Sequence, residues 1–266
     1  MTSADIPTKY TLPDGWQIEY QPSATSSNDL ALSALRQYGK DAEGHCFYVG
    51  EQTKGRGRRG KKWVSQFGDG LYLSIILCPT APRVMWPGLS FMASLAVYRA
   101  LLDLIEDVYI SGCSLKWPND ILWDNRKLAG ILLEASMEGV IVGCGINLAN
   151  APVIGQTTFP PVALDHLVLS QSVDPKALAC AVIREMAELY ITWQAEGIHI
   201  ILDEWRSYCD MKDRSVRIQT VKDVIVGTCA GIGSEGQLIV HKEDGKKVQI
   251  HAGDVEILRG GNASGN

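Results

Sequence analysis

The spacing of apolar residues changes along this chain, and each change marks a different element. Trp16-Gln17-Ile18-Glu19-Tyr20 alternates and predicts a first strand. Residues 23–29 concentrate helix-capping types, and Leu30, Ala31, Ala34, Leu35 and Tyr38 follow at helical spacing. Residues 46–50 and 71–77 read as strands, the second entered through Gly68-Asp69-Gly70. A proline-bounded loop over 79–87 leads into a helix predicted at 88–106. The middle of the chain returns to strands, at 113–117, 121–123, 128–134 and 140–148, with Pro118 stopping the first and Asp124-Asn125-Arg126 turning the chain. Residues 150–161 read as loop. Asp174-Pro175 opens a long helix by cap and first-turn proline, and Leu178, Val182, Met186, Leu189 and Trp193 form its apolar stripe. A second helical stretch covers 199–209. From Arg214 onward only short strands remain, at 215–220, 224–230, 237–241, 248–251 and 255–258, with glycine-rich turns at 231–233 and 245. The pattern predicts an α+β protein with a larger domain over 1–212, a small β-barrel over 213–259 and a polar tail, predicted disordered, over 260–266.

Composition narrows the class. A chain of 266 residues with 46% hydrophobic and 21% charged residues is ordinary for a globular protein of one large or one large and one small domain. Its seven cysteines are odd in number, scattered and never spaced Cys-x-x-Cys, and the five histidines are equally dispersed. That argues against a zinc site and a disulfide framework, and for reduced thiols in a cytoplasmic setting. The start, Met1-Thr2-Ser3-Ala4-Asp5, lacks the basic and apolar regions of a signal peptide. The longest apolar tract, 89–105, is broken by Arg99 and Asp103, so it reads as a core helix and no membrane partner is expected.

Charge changes the picture most. Between Lys54 and Lys62 six of nine residues are basic, yet the chain carries 25 Lys and Arg against 30 Asp and Glu. The interleaved glycines of Gly55-Arg56-Gly57-Arg58-Arg59-Gly60 let the backbone turn amides toward a ligand, and arginine forks suit phosphate or carboxylate. A clamp on one local anion is the expectation. The plain alternatives are a solvated loop or a nucleic-acid patch, and a pI near 5.6 speaks against the latter. The spacing fits the bare Gly-x-Gly-x-x-Gly pattern, but Trp63-Val64 and a Phe-Gly-Asp-Gly turn follow instead of a helix, which excludes a dinucleotide fingerprint.

Three further segments carry polar groups at strand ends. Lys116-Trp117-Pro118-Asn119-Asp120 reads singly as a turn or as a site, Lys127-Leu128-Ala129-Gly130 as a snorkelling lysine or a ligand contact. Gly143-Cys144-Gly145-Ile146-Asn147 puts two glycines on one face of a buried strand, where a ligand often approaches the backbone.

Taken together with Gln52, the basic loop and Ser26-Ser27-Asn28, these segments resemble biotin–protein ligases in order and spacing. Ser27 stands where that family's Ser-Thr-Asn has threonine. The resemblance covers roughly residues 20–150 and extends more weakly to the C-terminal strands. It implies a mixed or antiparallel central sheet with flanking helices, of the class II aminoacyl-tRNA synthetase-like (biotin–lipoate ligase) kind, plus a small barrel like Src-homology-3 domains. It also implies a two-step reaction. Biotin and ATP give biotinyl-5′-AMP and pyrophosphate, and a lysine of a biotin carboxyl carrier domain of a carboxylase then takes the biotinyl group.

By the same resemblance Arg56 and Arg58 would fold over biotin and the phosphates, and Lys127 would hold the reacting oxygens. Ser26, Ser27, Asn28 and Gln52 would meet the ureido ring or carboxylate, and Gly55 and Gly130 would leave room for the ligand. Trp63 would stack on adenine, and Asn147 and Gly145 would lie near the nucleotide. Gly57, Arg59, Lys116 and Asn119 are further contacts, and Asp120 is a candidate base for the acceptor lysine. No protein metal site is expected, Mg²⁺ arriving through the ATP phosphates. A winged helix that some members use on DNA has no room before the first strand, so no nucleic-acid partner is expected. Some members dimerise through the edge of the sheet. The rival readings are a lipoate–protein ligase or octanoyltransferase, and a nucleic-acid-binding module.

Overall fold

The structure is a computed structural model that describes residues 11–103, 112–153, 155, 157–167 and 173–258. Its seven-stranded main sheet contains β1 (Gln17–Gln21), β2 (His45–Val49), β3 (Gly70–Leu77), β4 (Cys113–Lys116), β5 (Asp120–Trp123), β6 (Arg126–Ala135) and β7 (Val140–Asn147). The order is β1-β2-β3-β7-β6-β5-β4. Only β1 and β2 run parallel, and every other neighbouring pair is antiparallel. The expected mixed sheet is therefore present.

Helix α1 (Ser27–Tyr38) starts where the capping residues cluster, with the Ser26 hydroxyl accepting from the Asn28 amide. Helix α2 (Leu89–Leu102) follows a 3₁₀ turn over Arg83–Gly88 inside the stretch read as loop. The last predicted turn of α2, beyond residue 103, lies outside the described residues. Asp174 caps α3 (Pro175–Glu196) through the Lys176 amide, and Gly197 at φ 84° separates it from α4 (Ile198–Ser207).

The period-2 rule assigns the two faces of the sheet. From β3, Leu71, Leu73, Ile75 and Leu77 join the main core beneath α2, α3 and α4. Ile76 packs with Ala31, Leu35 and Ile141 in a smaller core under α1. β7 splits in the same way. Val140, Val142, Cys144 and Ile146 enter the main core, which leaves Gly143, Gly145 and Asn147 on the α1 face. That face is only partly covered by α1, and the exposed remainder becomes the floor of a cavity.

The C-terminal strands β8 (Ser215–Gln219), β9 (Val224–Ile232), β10 (Leu238–His241), β11 (Lys247–Ile250) and β12 (Asp254–Ile257) form an antiparallel sheet of order β11-β10-β9-β8-β12. The glycine turn expected at 231–233 begins later, because β9 continues through Gly231 at φ 120° to Ile232, with a register shift opposite Ile239/Val240. The predicted tail at 260–266 lies outside the described residues.

Candidate active site

The basic loop folds as a tight hairpin. Trp63 donates to the Gly55 carbonyl at 3.0 Å and Gly57 to the Lys61 carbonyl at 2.7 Å. A Cβ on Gly55 would lie 2.4 Å from the Trp63 oxygen. Glycine is required there by the close approach of two backbones, not by room for a ligand as the family resemblance implied. Arg59 sits at the tip with φ 52° and Gly60 beside it with φ 73°.

The loop's cations are dispersed rather than gathered on one point. Arg56 Nη2 lies 2.8 Å from Asp29 Oδ1 and 3.1 Å from Glu134 Oε2. Bonding to Asp29 raises the already high Arg56 pKa, and Glu134 adds to it against the effect of burial. Arg58 turns inward and donates to Asn119 Oδ1 at 2.9 Å. Arg59, expected at the ligand, instead donates to the Gln219 carbonyl at 2.9 Å on the C-terminal sheet. The reason is geometric, since the left-handed tip directs successive side chains to opposite sides. Lys61 pairs with Asp254 Oδ2 at 3.0 Å.

Opposite the loop, the β4–β5 turn supplies a part-buried carboxylate between two ammoniums. Asp120 Oδ1 is 2.5 Å from Lys127 Nζ, and Oδ2 is 3.2 Å from Lys116 Nζ. Antiparallel pairing of Lys116 with Asp120 and of β5 with β6 brings these groups together. Burial pushes the Asp120 carboxyl up, but Lys127 and then Lys116 outweigh it and bring it to about 2. Burial pulls the Lys116 ammonium down, with Asp120 opposing. Lys116 also lies 4.8 Å from the Phe159 ring centre. A carboxylate so committed is a weak proton acceptor, which runs against the role of base expected for Asp120. Asn119 donates to the Ile131 carbonyl at 2.6 Å, and this fixes its oxygen toward Arg58.

The floor is made by the glycines. A Cβ on Gly145 would lie 2.6 Å from the Trp63 ring, and one on Gly130 3.0 Å from Lys127 Nζ. Trp63 is thus wedged against β6 and β7, and its buried Nε1 has no protein partner. Asn147 donates to the Val162 carbonyl at 3.1 Å and the Lys127 carbonyl at 3.3 Å, holding the end of the 150–161 loop against β6. At the other end the Ser27 amide and hydroxyl both bond Gln52 Oε1, at 2.9 and 3.2 Å. Asn28, expected to contact the ligand, is spent on the protein at both ends of its amide. Its Nδ2 donates to Glu134 at 2.5 Å and its Oδ1 accepts from Ser74 at 2.5 Å.

Of the site residues expected from the sequence, all except Gly55 and Arg59 line one cavity of about 320 Å³. Six cationic side chains face it (Arg56, Arg58, Lys61, Lys62, Lys116, Lys127) against three carboxylates (Asp120, Asp254, Glu256). In a chain of net charge −5 that local excess selects anions. Lys61, Lys62, Phe159, Thr157 and Asp254 line it without having been given a site role from the sequence. The two lysines extend the basic run and were the one readable signal, whereas nothing local marks a C-terminal aspartate as part of this wall.

Comparison with known proteins fits this geometry. Residues 20–147 match the biotin/lipoate A/B protein ligase family and residues 213–258 the biotin protein ligase C-terminal domain. The biotin–[acetyl-CoA-carboxylase] ligase of Mycobacterium tuberculosis is 32% identical over 249 residues, 92% of this chain and 91% of that one. The chain belongs to the biotin protein ligase family. Another relative, the bifunctional ligase/repressor BirA of Bacillus subtilis, is 32% identical over 225 residues, covering 81% of this chain and 66% of that longer protein. Among solved structures, the biotin protein ligase of Aquifex aeolicus in complex with biotin and ATP superposes with a TM-score of 0.78 at 25% identity, covering 91% of this chain and 99% of the other. Membership of the biotin protein ligases accounts for both layers of the molecule, the sheet that carries the glycine floor and the small sheet that closes one wall.

Proposed function

We propose that this chain is a biotin–protein ligase that makes biotinyl-5′-AMP from biotin and ATP and then biotinylates a lysine of a carboxylase's biotin carboxyl carrier domain. The observation that carries the proposal is the anionic cavity partner implied by Lys116, Lys127 and Arg58, three cations around one cavity with a glycine floor. In the first step a biotin carboxylate oxygen bonds the α-phosphorus and the bond to the β-phosphate oxygen breaks, releasing pyrophosphate. Two anions must approach, and fixed cations lower that cost without reorganising. Lys127 is held at the reacting oxygens by Asp120, which acts as its orienting carboxylate. Arg58, fixed by Asn119, covers the phosphates. The ureido ring lies toward Ser26, Ser27 and Gln52, and the Trp63 ring lies on the nucleotide side.

In the second step the acceptor lysine's amine attacks the acyl carbon, AMP leaves, and the proton passes to solvent or phosphate rather than to Asp120. Mg²⁺ would enter with the nucleotide, through the ATP phosphates. The seven thiols are all unpaired, which suits the reducing cytoplasm. β1 ends the main sheet, and a second copy would add at that edge.

The lipoate reading loses ground because the named relatives are biotin ligases and the C-terminal strands match the biotin ligase C-terminal domain. Biotin-dependent exchange of labelled pyrophosphate into ATP tests the assignment. Exchange with biotin and none with lipoate is the expected result; no exchange with either would overturn it.

A further inference from the structure

Glu134 closes the Lys127–Glu134 segment of the family resemblance but carries no site role from the sequence, and it does not line the cavity; yet two elements of the site meet on it. It lies on β6, on the same strand face as Gly130 and Leu132. Its Oε2 accepts from Asn28 Nδ2 at 2.5 Å and from Arg56 Nη2 at 3.1 Å. Asn28 has no freedom to choose another partner. Its side chain is 3% exposed, its Oδ1 is bonded by Ser74, and a Cβ on Gly143 would come within 2.4 Å of that oxygen. Ser74 in turn lies 2.7 Å from the Ser27 hydroxyl, and Ser27 bonds Gln52. A continuous set of contacts thus runs Gln52, Ser27, Ser74, Asn28, Glu134, Arg56. It joins the buried end of the cavity to the basic loop, and Glu134 is the one carboxylate on it.

We propose that Glu134 is a positioning residue that couples the order of the Ser27–Asn28 floor to the closure of the basic loop through Arg56. The physics is a shared acceptor. An amide N–H and a guanidinium bonded to one carboxylate polarise it in the same sense, and each holds it where the other needs it. Asp29 supplies a second carboxylate to the same guanidinium at 2.8 Å, so the Arg56 anchor is lost in full only when both side chains are removed. Movement of Asn28 on ligand entry is therefore felt by the loop, and loop opening is felt by the floor. This coupling rests on the biotin reading for its ligand but not for its existence.

Trypsin tests it without any substrate, because the loop offers a cleavage site at each of its six basic residues. In the ligand-free full chain, Glu134→Ala is expected to raise the rate of nicking between residues 54 and 62 about five-fold or more. Glu134→Gln keeps an acceptor for Asn28 while losing the charge, and is expected to fall between the parent and Glu134→Ala. A double-mutant cycle supplies the second arm. Biotin affinity of Asn28→Ala and Arg56→Ala, singly and together, is expected to be non-additive by at least about five-fold with Glu134 present and additive with Glu134→Ala. Nicking of Glu134→Ala and Glu134→Gln within two-fold of the parent, or an additive cycle in the presence of Glu134, would overturn the proposal. A parent chain that binds no biotin would sink the functional reading instead, and the nicking arm would still decide the role of Glu134.

Discussion

At the scale of single residues, the site is governed by what each charge is already bonded to. Asp120 illustrates this. Its folded-state carboxyl is held at about 2, below an ordinary 3.8, because Lys127 and Lys116 outweigh the cost of burying it. A depressed carboxyl stabilises the fold fully above its unfolded value, and that contribution fades as pH falls toward the folded value. The expected loss between about pH 4 and pH 2 is about 2 kcal/mol. Asp120→Asn should lower stability at neutral pH and flatten this acid limb, as read by urea unfolding across that range. An unchanged acid slope would contradict the pairing. The lysine motifs around Asp120 were legible in the sequence, but the partners of Arg56 and Arg59 were not. Asp29 lies 27 residues before Arg56, and Gln219 lies 160 residues after Arg59.

At the scale of elements, the decisive feature is the alternation of β7. Strand period alone puts Gly143, Gly145 and Asn147 on one face, and this much follows from the sequence. What presses on them does not. Trp63 fills the space over Gly145, and the Asn28 amide fills that over Gly143. Gly143→Ala should therefore cost about 1–3 kcal/mol from overpacking. It should also raise the KM for biotin more than it lowers kcat, because it displaces the binding floor and not the reacting groups. Thermal unfolding and steady-state kinetics measure the two effects separately. The basic loop shows the opposite limit. Its glycines and arginines were visible at once, but their spacing suggested a single anion clamp, whereas the hairpin sends four of its cations to five separate partners.

At the scale of the whole molecule, two sheets share one cavity wall. Trp117, 1% exposed, donates its Nε1–H to the Gly236 carbonyl at 2.8 Å, and Arg206 bonds the Ile232 and Gly233 carbonyls at 3.1 and 2.8 Å. These contacts seat the C-terminal sheet so that Asp254 reaches Lys61. Trp117→Phe keeps the ring but strands a buried carbonyl, at an expected cost of about 1–3 kcal/mol. The variant should also expose the Lys61–Asp254 joint, seen as faster tryptic cleavage at Lys61 before global unfolding begins. Cleavage that only follows global unfolding would show that Trp117 does not hold the joint.

The chain's own residues determined the elements, the α+β class and the four motif segments. Period, caps and glycine turns act over a few residues and need no partner to be read. The cavity's electrostatics were decided only when strand order brought β3, β6 and β7 under α1 and set the C-terminal sheet beside the loop. Glu134, Ser74, Phe159 and Asp254 acquire their roles there because a charge or hydroxyl does its work through a neighbour that is distant in sequence, and only packing chooses that neighbour.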